Sequence, residues 1–164
     1  MGIFQQGATG RNANKFRETR LPAGGEMCFI QFMAGMNGAQ SKASAATIFV
    51  VDDEPMLLEM AVMILEPLHF HVRTFRDPQT ALSEYSTTKP RPALVVTDYA
   101  MHTMSGMDLI RECRRIHPQQ KIILLSGTVD ESIYANAAVK PDRFLAKPYQ
   151  VSDFVNLVQS LATG

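Results

Sequence analysis

The chain has no tryptophan and only two cysteines, and each shortage removes a class of explanation. Cys28 and Cys113 are far apart, with no C-x-x-C and no Cys/His spacing around them. Neither a disulfide framework nor a structural zinc is therefore expected, and a reducing compartment fits. Cys113 falls on the apolar face of an expected helix, where a core role is favoured over a reactive one. Charge of one sign is not in excess, since 16 Lys and Arg balance 16 Asp and Glu. The total gives no reason to expect a nucleic-acid or membrane surface. No run approaches the ~20 apolar residues of a membrane span. No secretory leader is expected either, because basic residues run to Arg20 and the apolar stretch after them is short and glycine-flanked. Met1-Gly2 resembles a myristoylation start, but Gln6 stands where that signal wants Ser or Thr.

What is present is enough for one domain with a real core, at 164 residues. The charge is uneven: residues 1–46 carry five Lys/Arg and two Asp/Glu, and residues 47–164 carry eleven and fourteen. The first segment is rich in Gly, Ala, Asn, Gln and Ser, and its one apolar piece, Met27–Met33, lies between Gly24-Gly25 and Gly35. A mostly disordered extension over 1–46 is expected, followed by one domain over 47–164. Met36 offers an alternative start, a dozen residues before the first strand.

From Thr47 onward short apolar runs alternate with amphipathic stretches. Thr47–Val51 reads as a strand ending in Asp52-Asp53-Glu54, and Pro55 suits the first turn of a helix. Met56, Leu57, Met60, Met63 and Ile64 recur at helical spacing to about Leu68, and this face is expected to pack on the core. Phe70–Phe75 reads as a second, less buried strand. Asp77 as N-cap and Pro78 as first residue open a second helix running to about Ser86. After the turn Lys89-Pro90-Arg91-Pro92, the run Leu94-Val95-Val96-Thr97-Asp98 reads as a buried central strand. A third helix follows the loop Tyr99–Gly106, with Met107, Ile110, Cys113 and Ile116 on one face, and Pro118 stops it. Lys121–Leu125 is a fourth strand ending at Ser126, and a fourth helix is expected from Asp130 to about Ala138. Arg143–Ala146 is a fifth strand ending at Lys147-Pro148, and the last helix carries Val151, Phe154, Val155, Val158 and Leu161 inward. Five strands alternating with five helices argue for an α/β fold, a parallel sheet covered on both faces.

Four of the five strands end in groups able to act together: Asp52 and Asp53, Asp98, Ser126 and Lys147. All would project from one edge of one sheet, the edge where open α/β sheets bind ligands. Three carboxylates in one pocket repel one another, and a divalent cation offsets that; Mg2+ is preferred when the ligands are a few hard oxygens and phosphate. A hydroxyl and a lysine supply donors and a fixed positive charge for a phosphoryl group. Asp98 is then the expected nucleophile, whose attack on phosphorus gives an acyl phosphate. Plainer roles compete at each position. Asp52 or Asp53 would serve as a cap for the first helix, Ser126 as a helix cap and Lys147 as a surface lysine. Asp98 has no such structural partner. Met56, Met60 and Met63 are expected in the core, since no further soft ligands converge with them to hold copper.

Taken in order, the acidic pair Asp52-Asp53, Asp98 within Val96-Thr97-Asp98-Tyr99-Ala100-Met101, Gly106, Ser126-Gly127 and Lys147-Pro148 resemble the receiver domain of bacterial response regulators. The resemblance spans residues 47–164 nearly end to end. It implies a flavodoxin-like doubly wound sheet of order 2-1-3-4-5, with Asp98 as phosphoacceptor and Lys147 and Ser126 as its catalytic partners. It also implies Mg2+ held by Asp53, Asp98 and the backbone carbonyl of Ala100, with Asp52 nearby or bound through water, and a cis Lys147-Pro148 bond. A switch is implied as well: the Ser126 hydroxyl swings toward the phosphoryl group while Phe144 turns inward to fill the vacated space. The face of the fourth helix, fifth strand and fifth helix would carry the output. Phe144 lacks the hydroxyl of the commoner tyrosine, so only the steric half of that switch remains. His102 stands where the family usually has proline, and Gly127 replaces a frequent alanine. Ala100 and Thr128 occupy the positions that tune how fast water removes the phosphoryl group.

The function so implied is a stand-alone, cytoplasmic receiver of a two-component phosphorelay. It would take its phosphoryl group from a histidine kinase or phosphotransfer protein and signal by protein contact, with no enzymatic activity beyond its own phosphorylation and dephosphorylation. No direct nucleic-acid or membrane partner is expected, and a phosphorylation-dependent dimer is the one oligomer the reading suggests. The alternatives are an unswitched, degenerate receiver and a receiver fragment of a larger regulator. A phosphatase of the haloacid dehalogenase type wants Asp-x-Asp followed by Thr after the first strand, which Asp52-Asp53-Glu54-Pro55 does not supply. A flavin-binding fold-mate wants a Ser/Thr/Gly-rich first loop, also missing.

Overall fold

The structure, a computed structural model, describes residues 45–127 and 137–163. Five strands form one sheet: β1 (Thr47–Val51), β2 (His71–Phe75), β3 (Leu94–Asp98), β4 (Lys121–Ser126) and β5 (Arg143–Ala146). Their order is β2-β1-β3-β4-β5, and every neighbouring pair is parallel. All five residues of β3 are buried, as expected of a branched apolar run at the centre of a sheet covered on both faces. The edge strand β2 buries only Val72 and Phe75.

Four α-helices lie among the described residues: α1 (Pro55–Leu65), α2 (Pro78–Thr87), α3 (Gly106–Ile116) and α4 (Val151–Ala162). A 3-10 turn, Glu66–Leu68, extends α1 as far as the sequence predicts, and Pro67, which has no N–H to donate, lies within it. The helix expected over 130–138 falls almost entirely outside the described residues, as do the expected extension, apart from residues 45 and 46, and Thr128. The Asp77 cap is present, its carboxylate accepting the Thr80 N–H at 2.8 Å. Ser105 caps α3 in the same way, accepting the Asp108 N–H at 3.2 Å.

Alternation along the strands divides the core in two. Ile48, Val50, Leu94, Val96, Ile123 and Leu125 face α1 and α4, where they meet Leu58, Ile64, Leu65, Phe154, Val155 and Val158. Phe49, Val51, Val95, Ile122 and Leu124 face α2 and α3, meeting Ala81, Tyr85, Leu109, Ile110 and Cys113. The thiol of Cys113 is buried, and burial pushes it up to about 12, so it packs as a small apolar group.

One expectation is overturned. Met56 and Met63 are 80% and 65% exposed, and Met60 is only partly buried. The face that α1 buries carries Leu58, Ala61, Ile64 and Leu65. With the sequence Pro-Met-Leu-Leu-Glu-Met-Ala-Val-Met-Ile-Leu the helix is apolar around most of its circumference, so periodicity matched two faces and packing against the sheet chose the other one.

The chain reverses its winding direction between β1 and β3, which pair directly. That leaves a crevice at their carboxyl ends, the switch point of a doubly wound sheet. Asp52 follows β1, and Asp98 is the last residue of β3.

Candidate functional site

Asp52 and Asp98 are both buried, and a carboxylate in that setting needs partners. Each finds two of the same kinds. One oxygen accepts the backbone N–H two residues ahead: Glu54 donates to Asp52 Oδ1 at 2.9 Å, and Ala100 donates to Asp98 Oδ2 at 2.7 Å. The other oxygen of each meets Lys147 Nζ, at 2.9 Å for Asp52 Oδ2 and 2.6 Å for Asp98 Oδ1. One ammonium thus bridges two buried carboxylates across the crevice. Burial pulls the Lys147 ammonium down, but its hydrogen bonds to Asp98 and Asp52, and their charges, outweigh that and leave it above its ordinary value. Nearby, burial raises the phenol of Tyr149, with the Lys147 charge opposing it.

Lys147 reaches this position from the end of β5. Its own N–H donates to the Ser126 carbonyl at 2.7 Å, and the Lys147-Pro148 bond is cis, as the family resemblance implies; Lys89-Pro90 is cis as well. Ser126, the buried last residue of β4, pairs in register with Ala146. Phe144 stands opposite Leu124 and packs, partly buried, against the α2 and α3 side of the core. Ala100 is exposed beside Asp98.

The loop after β3 is secured at both ends. The Tyr99 N–H donates to the Leu125 carbonyl at 2.8 Å, and the Gly106 N–H donates to the Tyr99 carbonyl at 2.9 Å. Gly106 sits so close to the strand that a Cβ there would lie 2.2 Å from the Asp98 carbonyl oxygen. Only glycine lets α3 begin against the backbone of the nucleophile candidate. Gly127 differs: a Cβ there would meet the Lys147 Cβ at an ordinary 3.7 Å, so packing does not demand glycine. Midway along the loop, the Thr103 hydroxyl donates to Asp77 Oδ1 at 2.9 Å.

Of the predicted site residues, then, Asp52, Asp98 and Lys147 are in direct contact, with Ser126 joined to Lys147 through the backbone. Asp53 has a different partner. Its carboxylate Oδ2 is paired with His102 Nδ1, and that imidazole is 91% exposed. Among the described residues no three His, Cys, Asp or Glu side chains converge as a metal-ligating group. The Asp53–His102 pair is the feature that sequence reasoning missed. His102 stood out there only as a departure from the usual proline, and nothing local links residues 49 apart.

Comparison with known proteins bears on this arrangement. The family model for the response regulator receiver domain matches residues 48–159. The probable transcriptional regulatory protein TcrX of Mycobacterium tuberculosis is 31% identical over 117 residues, covering 70% of this chain and 49% of that protein. The response regulator receiver protein CpdR of Brucella abortus is 28% identical over 122 residues, covering 70% of this chain and 94% of that protein. The chain therefore spans about half the length of the first relative and nearly all of the second. Among solved structures, a response regulator receiver domain protein from Clostridium thermocellum aligns with TM-score 0.66 and 28% identity, over 72% of this chain and 94% of that one. The receiver domain of a sensor histidine kinase from Pseudomonas aeruginosa, solved with a magnesium ion coordinated in its active site cleft, aligns with TM-score 0.65 at 19% identity, over 73% and 99% of the two chains.

Proposed function

Because the chain belongs to the response regulator receiver family, we propose that Asp98 accepts a phosphoryl group from a histidine kinase or phosphotransfer protein, and that the modified domain signals through an altered protein-binding face. The observation that carries this is the Asp52–Lys147–Asp98 bridge at the switch point of the sheet. In the acceptance step a carboxylate oxygen of Asp98 attacks phosphorus, forming an O–P bond as the P–N bond of a phosphohistidine, or the P–O bond of a small acyl phosphate, breaks. Lys147 holds its charge where the negative phosphoryl oxygens arrive, and the Ser126 hydroxyl donates to one of them. The Ala100 N–H, already on the Asp98 carboxylate, fixes which oxygen is presented.

Mg2+ fits this donor set. Two buried carboxylates share a single ammonium, a third lies one residue along the chain, and all are hard oxygen donors. Asp53, Asp98 and the Ala100 carbonyl would hold the ion, with Asp52 beside it or bound through water. Bound there, Mg2+ would supply positive charge against that of the incoming phosphoryl group. Movement of Ser126 toward that group leaves room into which Phe144 turns, altering the face built from β5 and α4. No helix among the described residues is long and apolar enough to cross a membrane. The receiver so proposed acts in the cytoplasm, alone or in a larger regulator.

Intact mass after incubation with acetyl phosphate and Mg2+ tests the reading. One added phosphoryl group is expected, absent in Asp98→Asn and in EDTA. Equal incorporation by the Asn variant would overturn the assignment of Asp98. No incorporation, together with no binding of beryllofluoride, would make the domain an unswitched binding module.

A further inference from the structure

His102 holds the Asp53 carboxylate from a loop otherwise tied to Asp77 through Thr103. Lys147 meanwhile occupies the space between Asp52 and Asp98. Each of the three acids is thus paired with one of the protein's own nitrogen groups. We infer that His102 is a positioning residue that competes with Mg2+ for Asp53 and so weakens metal loading, holding the domain's response to a donor below what its carboxylates alone would allow. This rests on the reading of Asp53 as a metal ligand.

The two contacts draw on the same Asp53 carboxylate and so compete for it. An oxygen ligating Mg2+ is held at ~2 Å from the ion and is directed toward it. The same carboxylate paired with an imidazole reached from the β3–α3 loop must first be released. The cost is small. The ring of His102 is almost fully exposed, and exposed pairs shift an equilibrium by about fivefold at most. The competition therefore tunes affinity and does not block it. Thr103, one residue further along this loop, has its side chain on Asp77 and not on the acidic cluster, so it provides a matched control.

Calorimetric titration of the full chain with Mg2+, without any phosphoryl donor, separates the outcomes. His102→Ala should bind Mg2+ about two- to fivefold more tightly than the unsubstituted protein, and Thr103→Ala should not. A residue that merely supported the loop would weaken binding or leave it unchanged when removed, so a gain is diagnostic. In the unsubstituted protein, saturation with Mg2+ should also shift the NMR signals of the His102 ring. Equal or weaker binding by His102→Ala, the same gain in Thr103→Ala, or a His102 ring that does not respond to Mg2+ would each overturn the inference while leaving the phosphoacceptor reading intact. Failure of the unsubstituted protein to bind Mg2+ at all would overturn the metal site itself, and the inference with it.

Discussion

Asp52 and Asp53 are adjacent in the chain, yet they belong to two kinds of electrostatic contact. Asp52 joins Asp98 on Lys147, whose side chain is only 17% exposed, and every oxygen in that bridge has a partner. Asp53 meets a histidine that is nearly all in solvent. The buried bridge is held by the ends of three strands of the sheet, while the exposed pair depends on a loop side chain. Breaking a buried pair strands a charge away from water, whereas breaking an exposed one returns both partners to it. The first is suited to stay in place and receive chemistry, the second to rearrange.

That contrast is most strongly tested at Lys147. Lys147→Ala leaves two buried carboxylates facing each other, and should destabilise the metal-free protein by about 3 kcal/mol, read as a lower urea midpoint that Mg2+ partly restores. An unchanged midpoint would mean that the bridge is no stronger than a surface pair. Gly106→Ala acts on the same half by pushing α3 off the Asp98 carbonyl; a loss of about 1–3 kcal/mol is expected, with slower phosphorylation by acetyl phosphate. An alanine accepted without loss would show that the strand end is not as tightly set as the 2.2 Å approach indicates.

The pH dependence sharpens the comparison. Lys147 titrates above its ordinary 10.5 in the folded state, so its contribution is fully present below the unfolded value and is lost as pH climbs through the folded one. Urea midpoints of the metal-free protein should therefore fall once pH passes about 10.5, and fall less in Lys147→Ala. Parallel curves would remove Lys147 as the cause. The smallest effect belongs to the exposed half: Asp53→Asn should change metal-free stability by under about 1 kcal/mol, while weakening Mg2+ binding in the same calorimetric titration. A large loss of stability there would erase the distinction between the two halves.

Much of this was legible from residue order. Asp98 could be singled out because a charged residue ends a run of branched apolar ones, and that pattern is a property of neighbours in the chain. The same holds for the five strands and the Asp77 cap, whereas the order of the strands was implied only by the family resemblance. The burial of α1 was not legible, because nearly every side of that helix is apolar and only contact with β1, β2 and α4 decides which side is covered. Met56 and Met63 were placed wrongly for that reason. The role of His102 was hidden for another: a loop residue and a strand-end acid come together only when the sheet sets β1 beside β3.

By itself, then, the sequence determined the α/β alternation and the polar groups at four strand ends, because both follow from local periodicity and residue order. Tertiary structure alone decided which acids share Lys147 and which acid pairs with His102. Those pairings depend on distances across the crevice, which exist only after the strands have been brought into parallel register.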